Sequence, residues 1–149
     1  MNRYNNRFYR NECWVGDTYV LNFMNGGMLE RRYLILFMDV SSGQVTGWHI
    51  AKEAGREAEL EALRAAIQTA GIPGKVMMDK MRQELMIMNG RNHRLLEIFR
   101  KIERFFSSLT EFLQEEFSNM ADDVYLQRAD LIGGYVAFFV SQYNAGKER

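Results

Sequence analysis

The hydrophobic pattern divides the chain into a strand-rich first half and a helical second half. Aromatic and β-branched residues dominate residues 14–23 and 33–40, and a third run of this kind, residues 45–50, follows a turn at residues 41–44. The segment Asn25-Gly26-Gly27 is typical of a tight turn between strands. These features predict an antiparallel meander of three strands.

Spacing by three and four residues predicts helices in the rest of the chain. The first covers residues 56–70 and is ended by Gly71 and Pro73, and a short buried strand follows at residues 75–78. A long amphipathic helix is expected from about residue 92 to 117 and a last helix over residues 122–143. Their apolar positions are Leu95, Ile98, Ile102, Phe105, Leu109 and Phe112, then Leu126, Ala129, Ile132, Tyr135, Phe139 and Tyr143.

The order of these elements predicts an α/β fold. Its sheet is mixed, with three antiparallel strands plus one or two parallel strands, and helices flank it. The uncertain strand is residues 84–88, because a methionine-rich run suits a strand or a helix. We expect an N-terminal extension at residues 1–13, a core domain at residues 14–144 and a tail at residues 145–149.

Composition limits the classes of function. A chain of 149 residues that is 47% hydrophobic suits one domain with a sizeable core. Its 19 basic and 19 acidic side chains cancel, so binding to nucleic acid requires a local basic face. Cys13 is the only cysteine, which excludes an internal disulfide and favours the cytoplasm, or the nucleus in a eukaryote. No signal peptide or membrane span is predicted.

Three carboxylates occupy settings suited to metal chemistry. Asp17 lies within the first predicted strand, Asp79 ends the fourth, and Glu103 borders the apolar stripe of the long helix. Open α/β sheets build sites at strand ends next to a parallel neighbour. Three carboxylates from two strands and a helix can hold two divalent ions, an arrangement that serves phosphoryl transfer.

Each of these carboxylates also has an ordinary structural interpretation. Asp17 is compatible with a turn or cap residue, Asp79 with the N-cap of a helix, and Glu103 with an ion-pair partner for basic residues of its own helix. Asp39 precedes a Ser-Ser-Gly turn, where aspartate commonly accepts hydrogen bonds from the backbone. We therefore interpret Asp39 as structural and leave it out of the metal set.

Basic residues cluster near the start of the long helix. Such residues contact phosphates and position DNA without reading its sequence, although a solvated charged face is the commoner explanation. The candidate DNA-binding residues are Arg91, Arg94, Arg100, Lys101 and Arg104.

Several stretches resemble, in the same order, the catalytic core of DDE transposases and retroviral-type integrases, with the closest likeness to the Mu-like and insertion-sequence branch. The resemblance covers nearly the whole chain. It is carried by Trp14-Val-Gly-Asp-Thr18, Leu36-Phe-Met-Asp-Val-Ser-Ser-Gly43 with Val45-Thr-Gly-Trp48, Gly71-Ile-Pro-Gly-Lys-Val-Met-Met-Asp79, Lys101-Ile-Glu-Arg-Phe-Phe106 and Tyr143-Asn144.

This resemblance implies a ribonuclease H-like fold in which Asp17, Asp79 and Glu103 bind two Mg²⁺ or Mn²⁺ ions. It implies hydrolysis of a phosphodiester at a transposon end, followed by attack of the freed 3′-hydroxyl on target DNA. The implied partners are both DNAs and further copies of the chain, with additional DNA-binding domains outside it.

Two alternatives stay open. The interval from Asp79 to Glu103 is shorter than is usual in the family, and Asp79 is followed by Lys80-Met81. These departures favour a ribonuclease H-like domain that acts in assembly or partner binding, with its phenylalanines buried against a second copy. The phenylalanines in question are Phe105, Phe106, Phe112 and Phe117. The other alternative is a plain metal-dependent nuclease of the same fold.

Overall fold

The fold is a four-stranded mixed sheet with helices on both faces. It is seen in a computed structural model, which describes residues 8–25, 27–78, 93–118 and 128–147. The predicted strand at residues 84–88 and the first part of the last predicted helix lie outside the described residues. The elements are β1 (Cys13–Asn25), β2 (Met28–Asp39), β3 (Val45–Ala51), α1 (Arg56–Ala70), β4 (Lys75–Met78), α2 (His93–Ser118) and α3 (Arg128–Lys147).

The strand order in the sheet is β3-β2-β1-β4. The first three strands form the predicted antiparallel meander, in which β1 and β2 pair from Trp14 with Asp39 to Asn25 with Met28. The crossover through α1 returns the chain to the far side of β1, so β4 pairs with β1 in parallel. The prediction of a mixed sheet with helices is confirmed.

α1 lies close against β3 because the residues of both elements are small where they meet. Ala58, Ala62 and Ala66 follow one side of the helix at four-residue spacing and are buried. A Cβ atom on Gly47 of β3 would lie 2.4 Å from the Ala66 backbone. Glycine at this position therefore sets how closely α1 approaches β3. The helix packs on Trp14, Ile35 and Phe37 of the sheet.

α2 and α3 cover the opposite face and form the larger core. Phe105 of α2 is at its centre, with the rings of Phe139 and Tyr143 edge-on at 5.3 and 5.0 Å. None of the described helices is long and apolar enough to cross a membrane. The buried helical residues of this core are Ile98, Phe99, Ile102, Phe105, Phe106, Leu109, Leu113, Ile132, Val136 and Val140.

Asn144 joins the end of α3 to the start of β3. Its side-chain amide donates to the Val45 carbonyl at 2.9 Å, and its side-chain oxygen accepts from the Val45 N–H at 2.8 Å. The neighbouring Tyr143 hydroxyl lies 4.0 Å from the Met38 sulfur. The Tyr143-Asn144 pair thus has a structural role in this fold.

Asn11 connects four segments of the chain. Its backbone is left-handed, with φ at 63°, and its N–H donates to Asp39 Oδ1 at 3.0 Å. Its side-chain amide donates to the Ala70 carbonyl at the end of α1 at 2.6 Å, and its side-chain oxygen accepts from Trp14 Nε1 at 3.0 Å. Its carbonyl accepts from the Gly74 N–H at 2.8 Å. Residues directly before β1 therefore join its start to α1 and β4.

The start of β4 is held by the same segment. Lys75 N–H donates to the Glu12 carbonyl at 2.9 Å, next to the bond between Gly74 and Asn11. A Cβ atom on Gly74 would lie 2.6 Å from that Glu12 oxygen, so only glycine permits the approach. These contacts set the register that pairs Trp14 with Val76.

Asp39 organises the turn between β2 and β3. It is 1% exposed, and its carboxylate accepts hydrogen bonds from the N–H of Asn11 and from the N–H and hydroxyl of Ser42, at 3.0, 2.9 and 2.7 Å. Its oxygens are occupied by donors of its own fold. The interpretation of Asp39 as a structural aspartate agrees with this geometry.

Replacing Asp39 with alanine is expected to lower the free energy of unfolding by about 2 to 4 kcal/mol, because three donors in a half-buried setting lose their acceptor. Urea denaturation followed by circular dichroism measures the change. Glu53→Ala, at an exposed site, is the matched control and is expected to leave stability unchanged within about 0.5 kcal/mol. An equal effect of both substitutions would contradict the role assigned to Asp39.

Cys13 is expected to be unreactive in the folded protein. Its side chain is fully buried, and burial raises the pKa of the thiol from 9.0 to about 11. Iodoacetamide at pH 8 is therefore predicted to label the protein only after unfolding in urea, as read by mass spectrometry. The raised pKa also means that this thiol contributes stability below pH 9 that is lost as the pH rises toward 11. Comparison with Cys13→Ala isolates that loss, and rapid labelling of the native protein would contradict the prediction.

Candidate active site

Asp17 interrupts the apolar side of β1 that faces α2. Successive strand residues alternate between faces, and Val15 and Leu21, which share the parity of Asp17, belong to the core under α2 and α3. Asp17 is half-buried in mid-strand, paired with Leu36 of β2, and its Oδ1 accepts the Thr18 N–H at 2.7 Å. The alternative of a turn or helix-cap residue is therefore wrong for Asp17.

Tyr19 links the same side of β1 to α2. Its ring stacks on Phe106 with centroids 4.7 Å apart, and its hydroxyl lies 2.8 Å from Thr110 Oγ1. Lys101, earlier in α2, lies near Gly43, beyond the end of β2 that pairs with the start of β1. α2 and β1 therefore run in the same direction.

This direction brings Glu103 to the level of Asp17. Glu103 precedes Phe106 by three residues, or about 4.5 Å along a helix, and Asp17 precedes Tyr19 by two residues, or about 6.6 Å along a strand. Glu103 is exposed, and the residue before it, Ile102, is fully buried. Glu103 thus lies at the edge of the buried face of α2, the helix that packs over the Asp17 side of the sheet.

Asp79 lies outside the described residues. The last described residue of β4 is Met78, which pairs with Gly16 in the parallel ladder. In sequence, Asp17 and Asp79 directly follow these two paired residues. The end of β4 thus lies beside the residue that precedes Asp17.

The residues present suit hard divalent cations in their chemistry. Carboxylate oxygens are the ligands that Mg²⁺ and Mn²⁺ prefer, and a site on a strand holds its ligands more precisely than a site on a loop. Within the described ranges, no group of three histidine, cysteine, aspartate or glutamate side chains is arranged to hold a metal ion. The predicted set includes Asp79, so these ranges contain only Asp17 and Glu103 of it.

The predicted basic cluster separates into different surroundings. Arg91 and the side chain of Arg94 lie outside the described part of the chain, and Arg100 is exposed. Lys101 is half-buried and directed toward Gly43. The exposed Arg104 guanidinium acts on the pKa of Tyr143, which burial raises and this positive charge partly lowers again.

Sequence patterns did not indicate two further cations at the β2–β3 turn. Arg10 donates to Gln44 Oε1 at 3.2 Å, and Lys147, the last residue of α3, lies beside Gly43 and over the ring of Tyr143. Both are far in sequence from the long helix, so only the folded chain brings them next to Lys101.

The expectation that Phe105 and Phe106 bury against a second copy is wrong. They are 2% and 4% exposed because both rings already pack inside this chain. Phe112 is half-buried and lines a groove of about 440 Å³ with Tyr135 and Phe138, the last of which is 56% exposed. The side chain of Phe117 lies outside the described set.

Comparisons with known proteins support the fold. No protein-family model matches the chain, and no curated protein sequence is significantly similar to it. Two solved structures of the HTLV-2 integrase catalytic core domain in complex with magnesium, one in a dimeric and one in a trimeric form, are each 16% identical with a TM-score of 0.51. The alignments cover 83% and 84% of this chain and 86% of each integrase chain.

At this level of identity the similarity is informative about architecture alone. The chain has the ribonuclease H-like fold that these integrase cores share, as its sequence implied. The narrower likeness to the Mu-like and insertion-sequence branch stays a prediction.

Proposed function

We propose that this chain is the catalytic core of a transposase or integrase, which carries out DNA hydrolysis and strand transfer with divalent metal ions. The observation that carries the proposal is the parallel pairing of Gly16 with Met78. Neighbouring strands in a sheet lie about 4.8 Å apart, so residues that continue such a ladder can bind common ligands. In sequence, Asp17 and Asp79 directly follow the two paired residues.

Glu103 would complete the set from the rim of α2. The proposed ligands combine Asp17 on β1 and Asp79, which follows β4 in sequence, with one exposed glutamate on α2, where a DNA strand has access. When bound there, two Mg²⁺ or Mn²⁺ ions would activate the attacking oxygen and stabilise the leaving oxygen. The magnesium in the HTLV-2 integrase core structures supports this assignment of cofactor.

The protein's own part in each step is to hold and orient the scissile phosphodiester. In hydrolysis a water oxygen forms the new P–O bond and the 3′-oxygen leaves with a proton. In strand transfer that 3′-hydroxyl attacks the target phosphodiester and another 3′-oxygen leaves. Arg100, Lys101 and Arg104, with Arg91 and Arg94, would contact the DNA backbone without reading bases. The partners are a transposon end, target DNA and further copies of the chain, with site recognition by additional domains.

Activity is expected to depend on the three carboxylates. With Mn²⁺ and transposon-end or branched DNA, Asp17→Asn, Asp79→Asn and Glu103→Gln are each predicted to lower product formation at least about 100-fold, because loss of a ligand removes several kcal/mol of charge stabilisation. Denaturing gels measure the products. Glu111→Gln, exposed on the same helix, is the matched control and should keep full activity. Equal products from all variants, or none from the unmodified chain, would contradict the catalytic proposal.

A second candidate is a ribonuclease H-like module that acts in assembly. The groove between Phe112, Tyr135 and Phe138 favours it, because it exposes aromatic surface on α2 and α3. The short interval from Asp79 to Glu103 motivates the same candidate. A plain nuclease would differ from both in giving hydrolysis without strand-transfer products.

Calorimetry with Mn²⁺ separates the catalytic core from the assembly module. The catalytic proposal predicts a saturable heat of Mn²⁺ binding. Asp17→Asn is expected to lower the affinity for Mn²⁺ at least about tenfold, because the hard cation loses an anionic ligand. Glu111→Gln should titrate like the unmodified chain. Heat that is absent, or unchanged by Asp17→Asn, would favour the assembly module.

A further inference from the structure

Three cationic side chains from separate parts of the chain converge on the β2–β3 turn, residues 39–45. The Arg10 guanidinium lies 3.2 Å from Gln44 Oε1. Lys101 Nζ and Lys147 Cδ lie 3.7 and 3.9 Å from the point that a Cβ atom on Gly43 would occupy. The segment before β1, the helix α2 and the end of α3 thus each contribute one cation to the same place.

The turn beneath these cations is held in one conformation. Gly43 N–H donates to the Asp39 carbonyl at 2.8 Å, and Gln44 N–H donates to Ser42 Oγ at 3.2 Å. The Asp39 carboxylate is 1% exposed and accepts three hydrogen bonds, which hold the turn in place. A ligand at this turn would meet a preorganised surface and little ordering cost.

Two of the cations interact with neutral groups. Arg10 is exposed and donates to the Gln44 amide, and the exposed Lys147 ammonium lies 5.0 Å from the centre of the Tyr143 ring. Arg32 and Arg64 differ, because they form ion pairs with Glu30 and Glu61. Among the residues that the structure describes, neither Arg10 nor Lys147 forms an ion pair with a carboxylate, so both charges can act on an anion.

The turn is also correctly spaced from the candidate active site. Asp39 pairs with Trp14, and Asp17 lies three residues further along β1, or about 10 Å in a strand. Consecutive phosphates of one strand of duplex DNA advance about 3.4 Å each along the helix axis, so a separation of this size is within the span of a few phosphates. A backbone with one phosphodiester at Asp17 can place neighbouring phosphates at the turn.

We propose that the β2–β3 turn is a backbone-anchoring site for duplex DNA, in which Arg10 and Lys147, beside Lys101, contact neighbouring phosphates of one strand. The choice of DNA as ligand rests on the proposed function. The site itself adds two contacts, Arg10 and Lys147, and would fix the register of the duplex relative to Asp17.

The test is the salt dependence of DNA binding by the full chain. Fluorescence anisotropy of a duplex of about 30 base pairs, without divalent metal, gives the affinity between about 50 and 200 mM salt. The double variant R10Q/K147Q is expected to reduce the slope of log affinity against log salt by about 1.8, and K147Q alone by about 0.9, since each lost phosphate contact releases one counterion fewer. K52Q/R56Q, which removes two exposed cations near α1, is the matched control and should keep the slope.

Thermal unfolding midpoints equal to that of the unmodified chain exclude a merely structural effect of the substitutions. An unchanged slope in R10Q/K147Q, an equal loss in K52Q/R56Q, or no duplex binding by the unmodified chain would overturn the site. The site would also be overturned if inorganic phosphate raised the unfolding midpoint only when Arg10 and Lys147 were present, while duplex binding did not depend on either residue. The binding measurement contains no divalent metal, so its result does not depend on whether Asp17 and Glu103 are catalytic. Failure of the proposed catalytic function can therefore be distinguished from failure of the phosphate site.

Discussion

The hydrogen bonds of Asn11 are the constraint on which the candidate site depends. Both its backbone groups and its side chain are bonded, to Asp39, Ala70, Trp14 and Gly74. A left-handed backbone conformation disfavours most residues, and asparagine is among those that tolerate it best. These bonds fix the start of β4 against the start of β1, and that register decides which residues follow each other along the two strands. The relation between Asp17 and the end of β4 is thus determined at the opposite end of the ladder.

A second constraint orients α2 over the sheet. An amphipathic helix on a flat apolar face can slide or rotate at small cost, but the stacked pair of Tyr19 and Phe106 and the contact of Tyr19 with Thr110 oppose both motions. The rim position of Glu103 follows from these contacts, because Ile102 must stay buried and Phe106 must stay under Tyr19. An exposed glutamate can in this way have a defined position relative to a strand aspartate.

Much of the fold could be predicted where local signals are sharp. The bounds of α1 and β4 follow from Gly71 and Pro73, which end one periodic run and precede the next. The core of α3 was predicted less well, because residues on most sides of this helix are apolar. Periodicity therefore could not show that Val136 and Val140 are buried more deeply than Tyr135 or Phe139.

The site was predictable in part for a similar physical reason. Asp17 is conspicuous because it breaks the alternation of an apolar strand face, whereas Asn11 lies in a polar stretch without any period. The convergence of Arg10 and Lys147 on Gly43 depends on the sheet and on α3, so no local pattern contains it. The neutral net charge had suggested weak attraction to nucleic acid. Charge neutrality of a chain, however, constrains only its electrostatic field at long range. Because salt screens charges that are more than about 10 Å apart, a contact with one phosphate depends on the cations near it. Ion pairs elsewhere on the surface, such as Arg64 with Glu61, cancel in the sum of charges while the turn keeps its positive charge.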